Sequence, residues 1–322
     1  MDEVVGHPAL GRILAVDSNV DALEALANGL AGSDLVTMLL EVARSRADRR
    51  SPADVMNQYQ RDRFVAPAQI DPVVLARLQL DALEASRPLF EPVTISPLAP
   101  LGTHSALGSV HQNNVITTMR LSEVAADTTN SLTLEAAMRR RQLLARDPRS
   151  VEPVRLAAVD RVVRAQQFEG PVSFAHFCLY GLVIAGRDIG DRLFEGAALT
   201  SMLETMINVI ARSAPGARVQ IGLTDFDGRF GDVIDRICET ITGPTQMCER
   251  RPDRGEGRGY YPNVCFKLSV ETDELQLEIG DGGIVDWTQS LLQNRKERLA
   301  IGGLSLERLA GMGQGRGSGS ED

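Results

Sequence analysis

Ile301-Gly302-Gly303-Leu304-Ser305-Leu306-Glu307-Arg308-Leu309 joins two different sequence patterns within nine residues. Its first half is apolar and glycine-rich, as a buried strand is, and from Leu304 it takes up helical spacing. A strand therefore runs straight into a helix that carries an arginine, with two glycines that let another group come close to the backbone. Taken alone, Arg308 also fits an ordinary exposed helix.

Working outward, the spacing predicts strands at residues 261–270 and 274–279, with Glu271-Thr272-Asp273 between them as a hairpin turn. Residues 218–223 read as a strand, and 199–211 and 230–241 as helices. β-Branched and apolar runs predict strands at 115–119, 154–163 and 174–185, with a helix at 132–144 between the first two. Asp71-Pro72 opens a helix whose Val74, Leu75, Leu78, Leu80 and Leu83 are spaced for burial. Pro92, Pro97 and Pro100 restrict residues 91–100 to a short strand with irregular flanks. The first sixty residues read as helices: one from Asp21 to Leu30, one capped by Ser33 or Asp34, and one opened by Ser51-Pro52-Ala53-Asp54. This gives a helical N-terminal extension at 1–66, a core at 67–312 and a flexible Gly/Ser tail at 313–322. The glycines of that tail do not form a dinucleotide fingerprint, since no strand precedes them and no helix follows.

The 322 residues carry a formal net charge of −9, with 43% hydrophobic, 24% charged and only 4% aromatic residues. The core must therefore be built from Leu, Val, Ile and Ala. A sequence pI near 5.1 lacks the basic footprint of a nucleic-acid binder. The short arginine runs Arg49-Arg50 and Arg139-Arg140-Arg141 read as solvated helix faces. No apolar run is long enough to span a bilayer and no secretory signal is evident, so a cytoplasmic protein is expected. Cys178, Cys238, Cys248 and Cys265 show neither metal nor disulfide-framework spacing, and Cys178 and Cys265 read as buried thiols. The four histidines show no ligand spacing, so no metal site is expected. Asp225, Asp227 and Asp232 surround a glycine turn and read as solvated loop acids.

Residues 71–312 resemble the catalytic core of class II aminoacyl-tRNA synthetases, nearest the histidyl enzyme and its paralogue, the regulatory subunit of ATP phosphoribosyltransferase. Residues 301–309 look like the family's motif 3, whose arginine lies against the γ-phosphate of bent ATP; a planar guanidinium suits that contact. Arg161-Val162-Val163-Arg164-Ala165-Gln166, followed by a loop and the strand from Phe177, is similar to motif 2. The resemblance implies Arg164 at the α-phosphate and Phe177 on adenine, with Gln166 where an acid is usual. Leu132-Thr133-Leu134-Glu135 resembles the loop before motif 2, which implies Thr133 and Glu135 at the substrate's ammonium group. Gly259-Tyr260-Tyr261 and the turn-like Gly282-Gly283-Ile284-Val285-Asp286 resemble the histidyl branch and imply Tyr260, Tyr261, Gly282 and Gly283 in substrate binding. Gly302, Gly303 and Arg308 complete the implied ATP site, with Arg164 and Arg308 in the catalytic roles.

The histidyl pattern departs at Leu179 and Val183, where a polar group and an imidazole acceptor belong, and Glu256 stands where an arginine belongs. Histidine would leave its ring N–H unpaired there. The fold expected is α+β, a mainly antiparallel sheet flanked by helices. The resemblance implies ATP and Mg²⁺ as cofactors, a carboxylate or amino acid other than histidine as substrate, and a homodimer formed through residues 71–86. It also implies a carrier protein or partner enzyme in place of stable tRNA binding. The alternative is a catalytically silent regulatory or ligand-binding subunit.

Overall fold

Helix caps and unbroken apolar runs set the elements of this protein. The structure, a computed structural model, describes residues 22–108, 110–166, 174–252, 255, 257–271 and 276–314. Asp21, Glu256, the Thr272-Asp273 turn and the 315–322 part of the tail lie outside the described residues. The chain divides into two compact units, Met1–Asp62 with Thr117–Ser122, and Arg63–Ile116 with Glu123–Asp322.

The first unit holds α1 (Ala22–Glu24), which continues as a π-helix over Ala25–Gly29, then α2 (Gly32–Ala47) and α3 (Pro52–Tyr59). Ser51 caps α3 reciprocally with Asp54, as its sequence predicts. The expected strand at 115–119 does not form. Thr118 N–H donates back to Ser122 O at 2.8 Å, which closes a tight turn at the end of that stretch.

In the second unit, Asp71 accepts from Val73 and Val74 and starts α4 (Pro72–Ser86), which buries Leu75, Leu78, Ala82 and Ala85. Leu80, expected inside, is exposed on the far side of that helix. Short elements follow: β1 (Glu91–Pro92), β2 (Leu98–Pro100), α5 (Thr103–Gly108) and β3 (Ser122–Val124). Next come α6 (Thr128–Arg146), β4 (Val154–Val163), β5 (His176–Arg187), α7 (Leu193–Ser213), β6 (Arg218–Asp225) and α8 (Gly231–Ile241). The chain then runs through β7 (Gln246–Arg250), β8 (Val264–Glu271), β9 (Gln276–Val285), α9 (Trp287–Leu292), β10 (Glu297–Ser305) and α10 (Leu306–Gln314).

Eight strands form one sheet in the order β1-β4-β5-β10-β9-β8-β6-β7. Every neighbouring pair is antiparallel except β1 with β4 and β6 with β7 at the two edges. The α+β, mainly antiparallel architecture expected from the sequence is the one observed. One face carries the larger core, where Tyr180, Leu182, Phe266, Leu268, Ala300 and Leu304 meet the buried sides of α4, α7, α8 and α10. By length and composition α7 could cross a membrane, and its Leu199, Met202, Leu203, Met206 and Val209 lie in this core. The other face is covered by α6 and α9 around Leu156, Val183, Cys265, Leu299 and Ile301, and it leaves a gap.

Arg140, expected on a solvated helix face, is fully buried. Its guanidinium makes a two-pronged pair with Glu297 at 2.8 and 2.9 Å and also donates to Glu152 O and Ser150 O. Those acceptors answer every side of the guanidinium fork, which is what burial of a charge requires.

Candidate functional site

Side chains alternate across a strand, so the registers decide which residues share the gap. Lys267 on β8 pairs with Asp281 on β9, Asp281 with Gly303 on β10, and Gly303 with Gly181 on β5. The row runs from two charged residues to two glycines. At Gly303 the sheet carries no side chain, and a cavity of about 610 Å³ opens above it. A Cβ on Gly303 would lie 3.3 Å from Leu179 Cδ1 at the cavity floor. At Gly181 the room is taken by Thr128, which a Cβ would meet at 2.9 Å. That close approach lets Thr128 Oγ1 donate to Leu179 O at 2.9 Å and pins the start of α6 over β5.

The N-terminus of α6 forms one wall. Asp127 caps it, accepting from Thr129 N–H at 2.8 Å and Thr129 Oγ1 at 2.7 Å through Oδ1. Its other oxygen receives Arg164 Nη2 at 3.1 Å, while Arg164 Nε donates to Ala126 O at 2.8 Å. The same guanidinium lies 5.1 Å from the centre of the Phe177 ring. Behind this wall the buried His104 accepts Ala126 N–H on Nε2 at 2.9 Å, with the Asn130 amide 3.0 Å from Nδ1. Burial holds the His104 pKa below its ordinary value and outweighs the opposing pull of Asp127 and Glu123, so the ring is neutral at pH 7.

Glu123 anchors His104 from below. It is wholly buried and accepts from Gly102 N–H, His104 N–H and the Gln112 amide, each at 2.9 Å. Burial alone raises its pKa, but these donors more than offset that and hold the carboxyl below the usual range.

The opposite wall comes from β8, β9 and α10. Lys267 Nζ contacts Glu278 at 2.8 Å, and Arg308 Nη1 donates to Glu278 O at 2.9 Å. Tyr260 packs edge-on against Tyr261 and Trp287. Burial first, then Asp127 and Asp281, push both phenols well above their ordinary pKa, so both keep their protons. Cationic and carboxylate groups thus face each other across a floor of glycine, Leu179 and Ile301. A cavity of this kind suits a ligand with both anionic and cationic parts.

No protein-family model and no curated protein matches the chain by sequence. Solved structures do match. Apo histidyl-tRNA synthetase from S. aureus superposes with a TM-score of 0.57 at 13% identity, over 80% of this chain and 72% of that one. The ATP phosphoribosyltransferase regulatory subunit/histidyl-tRNA synthetase from Bacillus halodurans gives 0.55 at 12% identity, over 76% and 82%. The RNA binding domain of threonyl-tRNA synthetase from Cryptosporidium parvum gives 0.56 at 12%, over 74% and 63%. The chain has the fold of a class II aminoacyl-tRNA synthetase core. Identities this low establish the fold and nothing finer.

Within this fold, Arg164, Gln166, Phe177, Tyr260, Tyr261, Gly302, Gly303 and Arg308 all line the cavity. Four residues expected there do not. Thr133 is buried inside α6, where its hydroxyl donates to Thr129 O, and Glu135 pairs with Arg139 on the outer side of that helix. The cause is a helix that starts at Thr128, so the carboxylate reaching the cavity is Asp127. Gly282 and Gly283 lie inside β9 and form no turn. A Cβ on Gly282 would stand 2.4 Å from Ile301 O and one on Gly283 2.6 Å from Val264 O, so both serve strand packing. Reading the sequence missed His104, Asn130, Asp127, Lys267, Glu278 and Asp281 as cavity residues. For Asp127 a signal was present, since Asp before Thr-Thr is a helix-cap pattern. Asp225 is a turn residue, accepting from Asp227, Gly228 and Phe230 N–H groups.

Proposed function

We propose that the cavity binds ATP with Mg²⁺ and a small amino acid other than histidine, and joins them as an acyl-adenylate. The observation that carries this reading is the placement of Arg164 with Phe177 on one wall and Arg308 on the other, across a glycine floor. Adenine stacks on Phe177 and the phosphates lie between the two guanidinium groups. The substrate carboxylate attacks the α-phosphorus, the bond to the β-phosphate oxygen breaks, and pyrophosphate leaves. Arg164 and Arg308 stabilise the charge that develops on the phosphate oxygens. Asp127, already a hydrogen-bond acceptor aimed at this wall, receives the substrate's ammonium group.

Among the described residues no group of three metal-ligating side chains forms. Mg²⁺ takes few protein ligands when phosphates supply the rest, and Glu278 is the hard oxygen donor placed to share it. When bound, the ion neutralises phosphate charge. Leu179 at the floor and the fully buried Val183 offer no acceptor to an imidazole, which supports a smaller or more apolar side chain. The acyl acceptor is a carrier protein or small amine, and a homodimer forms through α4 and β1.

A second reading is a silent regulatory subunit that binds a ligand in the same cavity. Its support is Arg164 itself, whose Nε and Nη2 are both engaged by Ala126 and Asp127. Amino-acid-dependent ATP–pyrophosphate exchange across the twenty amino acids separates the two. Exchange with one of them, abolished in Arg308→Ala, is the expected result. Absence of exchange with every amino acid, together with ligand-induced thermal stabilisation or a co-purifying enzyme, would replace the first reading with the second.

A further inference from the structure

Away from the cavity, α8 packs on β7, the edge strand of the sheet. Cys238 in the last part of α8 and Cys248 in the middle of β7 bring their Sγ atoms to 2.7 Å. Both are half-buried, ten positions apart, and recorded as thiols. Cys178 and Cys265 are buried elsewhere in the sheet, where Cys178 Sγ accepts from the Gln79 amide. The ladder of β7 to β6 fixes Cys248 opposite Ile221, and Val233, Ile234 and Ile237 root α8 in the core. The two sulfurs are thus held together by elements that are themselves anchored.

We propose that Cys238 and Cys248 form a disulfide that clamps α8 onto the β7 edge. Closing the bond requires a two-electron oxidant, for which a low-molecular-weight disulfide such as oxidised glutathione suffices. The Cys238 thiolate attacks one sulfur of that reagent, a mixed disulfide forms and the first glutathione thiolate leaves. Cys248, deprotonated in turn, attacks the Cys238 sulfur, and the second glutathione leaves. One reagent disulfide is reduced to two thiols, which take the two cysteine protons. Burial first, and the neighbouring cysteine and Glu249 after it, raise the Cys248 pKa. Burial also raises that of Cys238. Burial thus disfavours both thiolates in the reduced protein, unlike the low-pKa thiols of oxidoreductases. The bond would also protect an edge strand that presents unpaired backbone groups.

The test uses the full chain, incubated with oxidised glutathione, then denatured and alkylated, with intact-mass and peptide-mapping readouts. The expected result is two alkylated cysteines per chain after oxidation, four after reduction, and a cross-linked peptide pair joining Cys238 to Cys248. Thermal unfolding of the oxidised protein should shift up by about 4 °C, the amount a short closed loop gives a chain of this size. The Cys248→Ser variant should trap glutathione on Cys238 and lose the thermal shift. Four alkylated cysteines after oxidation, or a cross-link mapping to Cys178 or Cys265, would overturn the proposal.

Discussion

Arg140 and Glu297 form an ion pair with no exposed side-chain surface, and each depends on the other for its place in the core. Removing one partner strands a buried charge, so Arg140→Ala should lower unfolding free energy by about 3–5 kcal/mol in urea titration. Replacing both with apolar residues of similar volume should recover most of that loss. Asp160 shows the opposite economy. Burial pushes its carboxyl up to about 6, and its Oδ2 has no partner among the described residues. The folded state therefore binds the Asp160 proton more tightly than the unfolded chain, whose aspartate titrates near 3.8. This contribution is fully present below the unfolded value and is lost as pH rises through about 6. Asp160→Asn should accordingly unfold at higher urea than the parent at pH 7.5, with the gap closing towards pH 4. Glu123 runs the other way: its depressed pKa contributes stability above its ordinary value of 4.5, lost as pH falls through the folded value. Glu123→Gln should be markedly destabilised at pH 7 and much less so in acid.

At the scale of elements, what decides position is where a residue must fit, and sequence showed this unevenly. β4 was legible at Val154–Val163 because its Val-rich, largely apolar stretch carries no Gly or Pro to break a strand. The strand-to-helix passage from β10 into α10 was legible because the apolar, glycine-bearing run through Gly303 gives way to helical spacing from Leu304, with Glu307 buried at the junction and accepting Cys178 N–H. β9 was misread at Gly282-Gly283 because paired glycines signal a turn locally. Here they instead permit the close approach of Phe266 and of the β10 backbone, a tertiary demand invisible in the local sequence. Gly282→Ala should therefore cost about 1–3 kcal/mol by chemical denaturation, since the Phe266 ring and Ile301 O must both give way. The start of α6 was set too late because Thr128, Thr129 and Asn130 are weak helix formers, held in the helix by the Asp127 cap and by Thr128's bond to β5. That shift moved two expected site residues out of the cavity and put Asp127 in their place. Helix-surface arginines read as solvated because nothing nearby in sequence announces Glu297, which is far along the chain.

Across the whole molecule, one sheet carries two different faces. The face under α4, α7, α8 and α10 is filled, and Gly302 belongs to it, since a Cβ there would meet Met202 Sδ at 2.6 Å. The other face is interrupted at Gly303, and charged residues gather at that interruption. Arg164, Phe177, Gly303 and Arg308 were legible as residues of the cavity. His104, Asn130 and Lys267 were not, because they come from segments whose convergence only the fold defines. An acidic chain of net charge −9 should also show no retention of bulk tRNA in filter binding near 150 mM salt. The measurement that tests the account most directly is calorimetric titration of the full chain with ATP and Mg²⁺. One site per chain is predicted, weakened at least tenfold, about 1.4 kcal/mol, in both Phe177→Ala and Arg308→Ala. No binding heat, or binding that neither substitution weakens, would contradict a nucleotide site between these two walls.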